Sequence, residues 1–591
     1  MTAAAIYKPA KSPPEEWLSI DKATDEAAYD RLRNQVTDRE DTLAFDFLCK
    51  TRASPDEIRA NEILQLVKKL DINEVYTKAP KNIGYGGQVH DRFFGDHFLS
   101  NADLIEETKL FAISRRMPKG AHLHIHFNAN LLPHVLIDIA KQMPCMYITS
   151  DIPLVRATSN GASAFDTCKI QFNILSTKLV NDTGKQNLFS TNYTEEKRHP
   201  MPIKEFFDQF PEAYLKARGE SLDADTWLRN KVVFQEEEAY HLHQTAEGAW
   251  KKFNGRTQLM KGLFNYETAY KEYTTQCLQE FVDDNIQYAE IRPNFMPTNQ
   301  VWKDDGSIQL PNKEIVELII ARYNLFQETH KGEVLKGLKI IYCTPRSFDD
   351  KAVKNALEEC LRFHKEFPGW IAGFDLVGEE AVGRPLKDFI PLFLHFKAEC
   401  KKQGVDIPFL FHCGETLDIG KHTDGNLVDA LLLGSKRIGH GFALARHPYI
   451  MEQMKKRGIC IEVCPISNEV LGLTPRMNGH TVYSLLANNV HCTVSTDNGT
   501  LFRSRLSHDF YQMMAGKQDM TLHGWRQLIE WSLDHSCLES DKRDEIYAAW
   551  VIMWDDFCKW IIDTYEEETK DFKPEDSKPE EPRKPQDSVK L

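Results

Sequence analysis

At 591 residues, the chain is long enough for one large core with additions. Its 73 Lys and Arg against 87 Asp and Glu give a net charge of −14, and no long basic block offsets it, which argues against nucleic acid as a partner. No run of about 18 uncharged apolar residues occurs, and the start lacks a secretory apolar stretch, so a cytoplasmic protein without membrane contact is expected. The 13 cysteines stand singly with no C-x-x-C pair, which excludes a Cys-rich zinc site or a redox motif.

Residues 1–116 carry charged, periodic stretches at Leu43–Lys50, Ser54–Leu70 and Asn101–Arg115, which predict a helical N-terminal extension. From Lys119, short β-branched runs ending in polar residues alternate with amphipathic segments. The runs are Ala121–Phe127 and those that begin at Ile286, Leu338, Trp370, Ile407, Lys436, Cys460 and His491. Helices such as Asn312–His330, Asp349–Glu366 and Leu386–Lys402 are predicted between them. Eight strands alternating with helices predict a (β/α)8 barrel over residues 117–565, with each polar signature at a strand's C-terminal end. A doubly wound open sheet is the rival, but it would gather its polar residues at one switch point. The gap from Asn128 to Asp284 exceeds one crossover helix and predicts an insertion at about 140–235. Its first part, Cys145 to Tyr193, reads as short mixed runs, and Glu236–Phe253 and Tyr266–Asp283 read as helices. Residues 566–591 are Pro-rich and charged, the composition of a disordered tail.

His124 and His126 stand two apart on a predicted strand, so both imidazoles project from one face and reach a single ion. Paired core histidines are the alternative, and His122, of the same parity, is a lesser candidate ligand. On a helix this spacing fails. His241 and His243, in the helix predicted from Glu236, would point about 200° apart and are assigned to surface or packing. His412 ends the fifth run in FLFHCGET, and Asp497 ends the eighth in TVSTDNG. Three imidazoles and one carboxylate are the ligand set of a catalytic zinc site with one position open to water, whose pKa the ion would lower. His440, between two glycines in RIGHGF, fits a general base, with a fifth ligand or a capping histidine as the alternatives. Glu415 is placed to act as an acid whose proton desolvation retains, the alternative being a solvated loop residue.

In chain order, PKGAHLHIH, AEIRP, GFDLVGEE, FHCGET, RIGHGFAL, EVCPISNEVLGL and STDN resemble the adenosine deaminase superfamily and, within it, the adenosine deaminase growth factor branch. The resemblance covers about Met117 to Ala515. It implies one zinc ion held by His124, His126, His412 and Asp497, and hydrolytic deamination of adenosine or 2′-deoxyadenosine. It further implies that His440 orients or deprotonates the attacking water, that Glu415 protonates the purine N1, and that the Gly378 N–H meets N3. A Cys145–Cys168 disulfide in the insertion and a homodimer built on the extension are implied in the same way.

Two positions depart from the family pattern. Asn498 stands where a second Asp commonly binds the purine N7; its amide can donate to an unprotonated N7. Phe127-Asn128 stand where an Asp often follows H-x-H and contacts the sugar, with Asn128 as the substitute. These departures admit another 6-aminopurine, such as AMP, ATP or a modified adenosine, as substrate. A binuclear amidohydrolase is disfavoured because no bridging Lys lies between Gly373 and Gly378, and the cytidine-type deaminases are excluded by the absence of H-x-E with P-C-x-x-C. A catalytically weak barrel that binds or signals through its insertion is the reading from a different class.

Overall fold

In the computed structural model, which describes residues 24–570 and 572 apart from 85, 156–162, 195–198, 297–299 and 332, the eight runs pair as two four-stranded parallel sheets. One holds β1 (Ala121–His126), β2 (Tyr288–Arg292), β3 (Gly337–Pro345) and β4 (Ile371–Val377) in that order. The other holds β5 (His412–Cys413), β6 (Arg437–His440), β7 (Cys460–Val463) and β8 (Cys492–Val494). Backbone hydrogen bonds join them at both seams. The Phe374 N–H donates to Pro408 O (3.0 Å) and Leu410 N–H to Phe374 O (2.9 Å), while the His126 N–H donates to Asp497 O (3.0 Å) and Asp497 N–H to His124 O (3.1 Å). The ring is therefore the (β/α)8 barrel read from the sequence. Strands such as β4, with all seven residues buried, have the near-continuous apolar character that burial on both faces demands.

The extension is part of the same core. In the helix Pro55–Asp71, residues Ala60, Ile63, Leu64 and Val67 fall on one face, and all four are fully buried against the terminal helix Ser540–Thr569. The Ser54 hydroxyl caps this helix by accepting the Glu57 N–H (3.1 Å). The carboxylate of Asp71 accepts the N–H groups of Lys109 (3.0 Å) and Leu110 (2.8 Å) at the start of another helix. The predicted helix Asn101–Arg115 is two helices, Phe98–Glu107 and Lys109–Arg116, divided by Thr108, whose hydroxyl caps the second (3.2 Å from Phe111 N). The terminal helix runs through residue 565; beyond Thr569 the tail lies almost wholly outside the described residues. No helix among the described residues is long and apolar enough to cross a membrane.

The insertion builds a three-stranded antiparallel sheet, with Met146–Ser150 between Ile170–Ile174 and Met201–Pro202. Two expectations are corrected here. The helix predicted over Glu236–Phe253 is broken into Glu236–Ala239 and Ala246–Phe264, because Thr245 caps the second piece by accepting the Gly248 N–H (3.0 Å). His241 and His243 lie exposed in that break, where the helical angle between them does not apply. The second correction concerns Cys145 and Cys168, which are both free thiols. The strand register explains why. Leu175 N–H bonds Cys145 O at one end of the hairpin, whereas Cys168 follows the Asp151–Lys169 bond at the other. Six residues of strand separate the two ends by roughly 20 Å, far beyond the Cα spacing a disulfide tolerates.

Titration of the protein denatured without reductant is therefore expected to count 13 thiols per chain. A count two lower, restored by reductant, would contradict the register.

Candidate active site

The C-terminal ends of β1, β5, β6 and β8 bring the sequence-selected histidines and acids to one point. His124 Nε2 lies 3.0 Å from His412 Nε2, and His126 Nε2 lies 3.1 Å from the same atom. Asp497 Oδ1 sits 3.1 Å from His126 Nε2 and 3.5 Å from His124 Nε2. Gly439 makes room for this cluster, since a Cβ there would stand 2.8 Å from the His124 ring.

The outer nitrogens of two of these rings are bound to carboxylates. His124 Nδ1 lies 2.7 Å from Glu462 Oε2, and His412 Nδ1 lies 2.7 Å from Asp375 Oδ2. Each carboxylate is an acceptor, so each Nδ1 carries the proton and each Nε2 turns a lone pair inward. Burial pushes His412 down to about 3, which keeps it neutral. Lone pairs meeting at 3 Å repel, and Asp497 Oδ1 is buried without a hydrogen-bond donor. A cation at the centre satisfies all four atoms, so the residues fit the metal that the sequence implied. His122 does not join them. Its Nε2 is occupied by the Thr496 N–H (3.1 Å).

A second set of four, His124, His412, His440 and Asp497, also lies within ligand reach. We favour His126 over His440 because His126 Nε2 meets both His412 and Asp497, whereas His440 Nδ1 faces the Asn468 amide (3.1 Å) and its Nε2 faces Glu415 Oε1 (3.5 Å). Both His440 (φ 61°) and Asp497 (φ 63°) adopt left-handed backbone, which costs on the order of 1–3 kcal/mol each and persists where surrounding structure imposes it.

Glu415 is 3% exposed. Burial raises its carboxyl well above the ordinary range, and the Asp497 and Glu380 carboxylates add to the effect. Glu380 also holds the loop in place, accepting the N–H groups of Gly414 (3.0 Å) and Glu415 (2.6 Å) and the Asn426 amide (2.7 Å). Glu415 thus stands in a fixed position where burial favours its uncharged form. Gly378 follows β4 with φ 103°, and a Cβ there would meet nothing within 4 Å, so its backbone borders open space. Asn498 is buried just after Asp497, and its side chain makes no capping bond to the short helix that follows. Asn128 lines a cavity of about 210 Å³ with Gln258, Lys261, Phe264 and Asn294, and none of the four ligand candidates lines it.

Sequence reasoning assigned no role to Arg292, Asp375, Glu462, Arg437, Glu290 or Glu380. Arg292 bonds Asp375 Oδ2 (2.9 Å), Glu462 Oε2 (2.8 Å) and Leu123 O (2.8 Å). Arg437 bonds Glu462 Oε1 and Glu290 Oε2, each at 2.6 Å. The available signal was a charged residue inside an apolar strand run, as in GFDLV and CIEV.

A parallel barrel that gathers three imidazoles and a carboxylate at its strand ends, beside a buried glutamic acid, defines a metal-dependent barrel hydrolase. The chain matches the adenosine deaminase family over residues 231–550, more than half its length. It is 30% identical to adenosine deaminase 2 of Pongo abelii over 85% of this chain and 88% of that one. Identity to adenosine deaminase 2 of Homo sapiens is also 30%, over 78% and 82%. Identity to an adenosine deaminase of Aedes albopictus is 35%, over 57% and 63%. A solved ADAL–IMP complex shares the fold, with a TM-score of 0.50 at 14% identity over 76% of this chain and 99% of that one. The chain belongs to the adenosine deaminase family and is an adenosine deaminase-like aminohydrolase. The family match starts at residue 231, so β1 and its two histidines lie outside it.

Because Asp375 fixes the His412 tautomer, Asp375→Asn is expected to weaken metal binding about 10–100-fold. Chelator competition with zinc measures this, and an unchanged affinity would remove Asp375 from that role.

Proposed function

We propose that the protein deaminates adenosine or 2′-deoxyadenosine hydrolytically, using one zinc ion held by His124, His126, His412 and Asp497. The observation that carries this is the pairing of an inward-facing ligand set with a buried Glu415 next to His440. Zinc bound there supplies positive charge that lowers the pKa of water. Glu415 gives its proton to the purine N1, which makes C6 electrophilic. The oxygen of water joins C6 on the side that His440 faces, where His440 orients or deprotonates it. The C6–N bond then breaks, and the exocyclic amine leaves as ammonia with a proton released by the attacking water. The Gly378 N–H borders space suited to the purine N3, and the Asn498 amide donates to N7.

A second reading, a nucleotide or other charged 6-aminopurine, draws support from Lys261, which lines the same cavity as Asn128. Our reading also includes the cytoplasmic setting, which suits 13 free cysteines.

Incubation with adenosine, deoxyadenosine, AMP and ATP, with ammonia and bound zinc measured together, is expected to show turnover of the nucleosides. AMP or ATP preferred over both would favour the second reading; zinc-loaded protein that turns over none would refute deamination. Glu415→Gln is expected to keep its zinc and lose about 10²–10⁴ in kcat, and full activity would displace Glu415 as the acid. The reading further includes a homodimer, for which the helix Glu26–Asp41 offers the half-exposed Tyr29 (48%) and Val36 (47%). Sedimentation is expected to give twice the chain mass, and a monomer at micromolar concentration would remove that part of the proposal.

A further inference from the structure

The hydrogen bonds of His440 decide which of its nitrogens carries the proton. They start from a group that can only donate, the backbone N–H of Val482, which lies 3.0 Å from His480 Nδ1. That nitrogen must therefore offer a lone pair, so the proton of neutral His480 sits on Nε2. His480 Nε2 lies 3.0 Å from Asn468 Oδ1 and donates to it. The Asn468 Nδ2 group, in turn, lies 3.1 Å from His440 Nδ1 and donates to it. Reversing the Asn468 amide would set its NH₂ against the His480 N–H, donor against donor, so the order holds without reference to how the amide was drawn. All three side chains are buried, and burial pulls His480 down to about 3, which keeps it neutral as the chain of bonds requires. Phe442 packs edge-on against the His480 ring (centroids 5.3 Å apart) and holds it in place.

We propose that Asn468 and His480 are positioning residues that set His440 as the Nε2–H tautomer, so that His440 donates a hydrogen bond to the attacking oxygen, whose proton passes to the leaving amine and not to His440. The functional half of this rests on the deaminase reading above; the tautomer itself does not. His440 Nε2 points toward Glu415 Oε1 at 3.5 Å, with the His124 and His412 rings 4.9 and 5.3 Å from its own. An N–H aimed there steers an oxygen lone pair toward C6 without a change in the charge of the ring. Of the two roles open to His440, orientation is the one this tautomer allows.

The test is nitrogen NMR on the full-length protein carrying ¹⁵N-histidine, zinc-free and zinc-loaded, with the His440 signals identified by their loss in His440→Gln. The expected result is a protonated Nε2 and a bare Nδ1. Asn468→Asp keeps the shape but presents only acceptors, so the proton is expected to move to Nδ1. In that variant kcat is expected to fall about 100-fold with KM changed by less than about threefold and zinc content kept. A wild-type His440 protonated on Nδ1, an unmoved tautomer in Asn468→Asp, or a moved tautomer with full kcat would each overturn the proposal. Should Asn468→Asp fail to fold, the wild-type spectrum alone decides the tautomer. Absence of turnover by the wild type would count against the deaminase reading while leaving the nitrogen assignment to stand or fall by itself.

Discussion

A line of alternating charge buried under the metal ligands holds the site together. Asp375, Arg292, Glu462, Arg437 and Glu290 are all fully buried and linked in that order by ion pairs of 2.6–2.9 Å. Burying an ion costs several kcal/mol, and the loss is offset only when every donor and acceptor finds a partner. That condition is met at Arg292, whose three nitrogens all bond, and at Arg437, which adds His535 O (3.0 Å). Three carboxylates against two guanidiniums leave one negative charge beneath a site suited to a cation. Burial opposes ionisation of Asp375 and Glu462, yet His412 with Arg292 at the first, and Arg292 with Arg437 at the second, hold both below the usual carboxylate range. Stability from these groups is fully present above the ordinary carboxylate pKa and is lost as pH falls through the folded-state values.

The same line reaches the chemistry through two hydrogen bonds. Glu462 and Asp375 each spend one oxygen on an imidazole Nδ1, and this turns His124 and His412 into ligands with inward lone pairs. His440 lies outside this line and takes its tautomer from a separate, neutral chain that begins at a backbone amide. Charge thus orients the ligands, and an uncharged relay orients the group beside them.

Much of this was legible in the sequence where the signal is local. Parity on a strand marks His124 and His126 as a pair, and the polar ends of eight runs mark the barrel and place His412, His440, Glu415 and Asp497. The charge line was not legible, because its partners lie on β2, β4, β6 and β7 and have no fixed spacing in the chain; Arg292 and Glu462 are 170 residues apart. Helix breaks at Thr108 and Thr245 were missed although both are capping residues, since the apolar period runs on past them. The Cys145–Cys168 pairing came from resemblance alone, and strand register, which resemblance does not carry, placed the two thiols at opposite ends of a hairpin.

The two halves of the site are built differently, and this bears on how substrate choice can vary. The ligand half rests on strand ends where buried carboxylates fix the His124 and His412 rings through Nδ1, so a change there disturbs the charge line beneath them. The half proposed to meet the substrate comprises Gly378, whose backbone borders open space, Asn498, which caps nothing, and Asn128, which lines a small cavity beside Lys261. None of these carries the core. Substitutions at these three positions can therefore alter what is bound while the metal ligands and Glu415 keep their geometry.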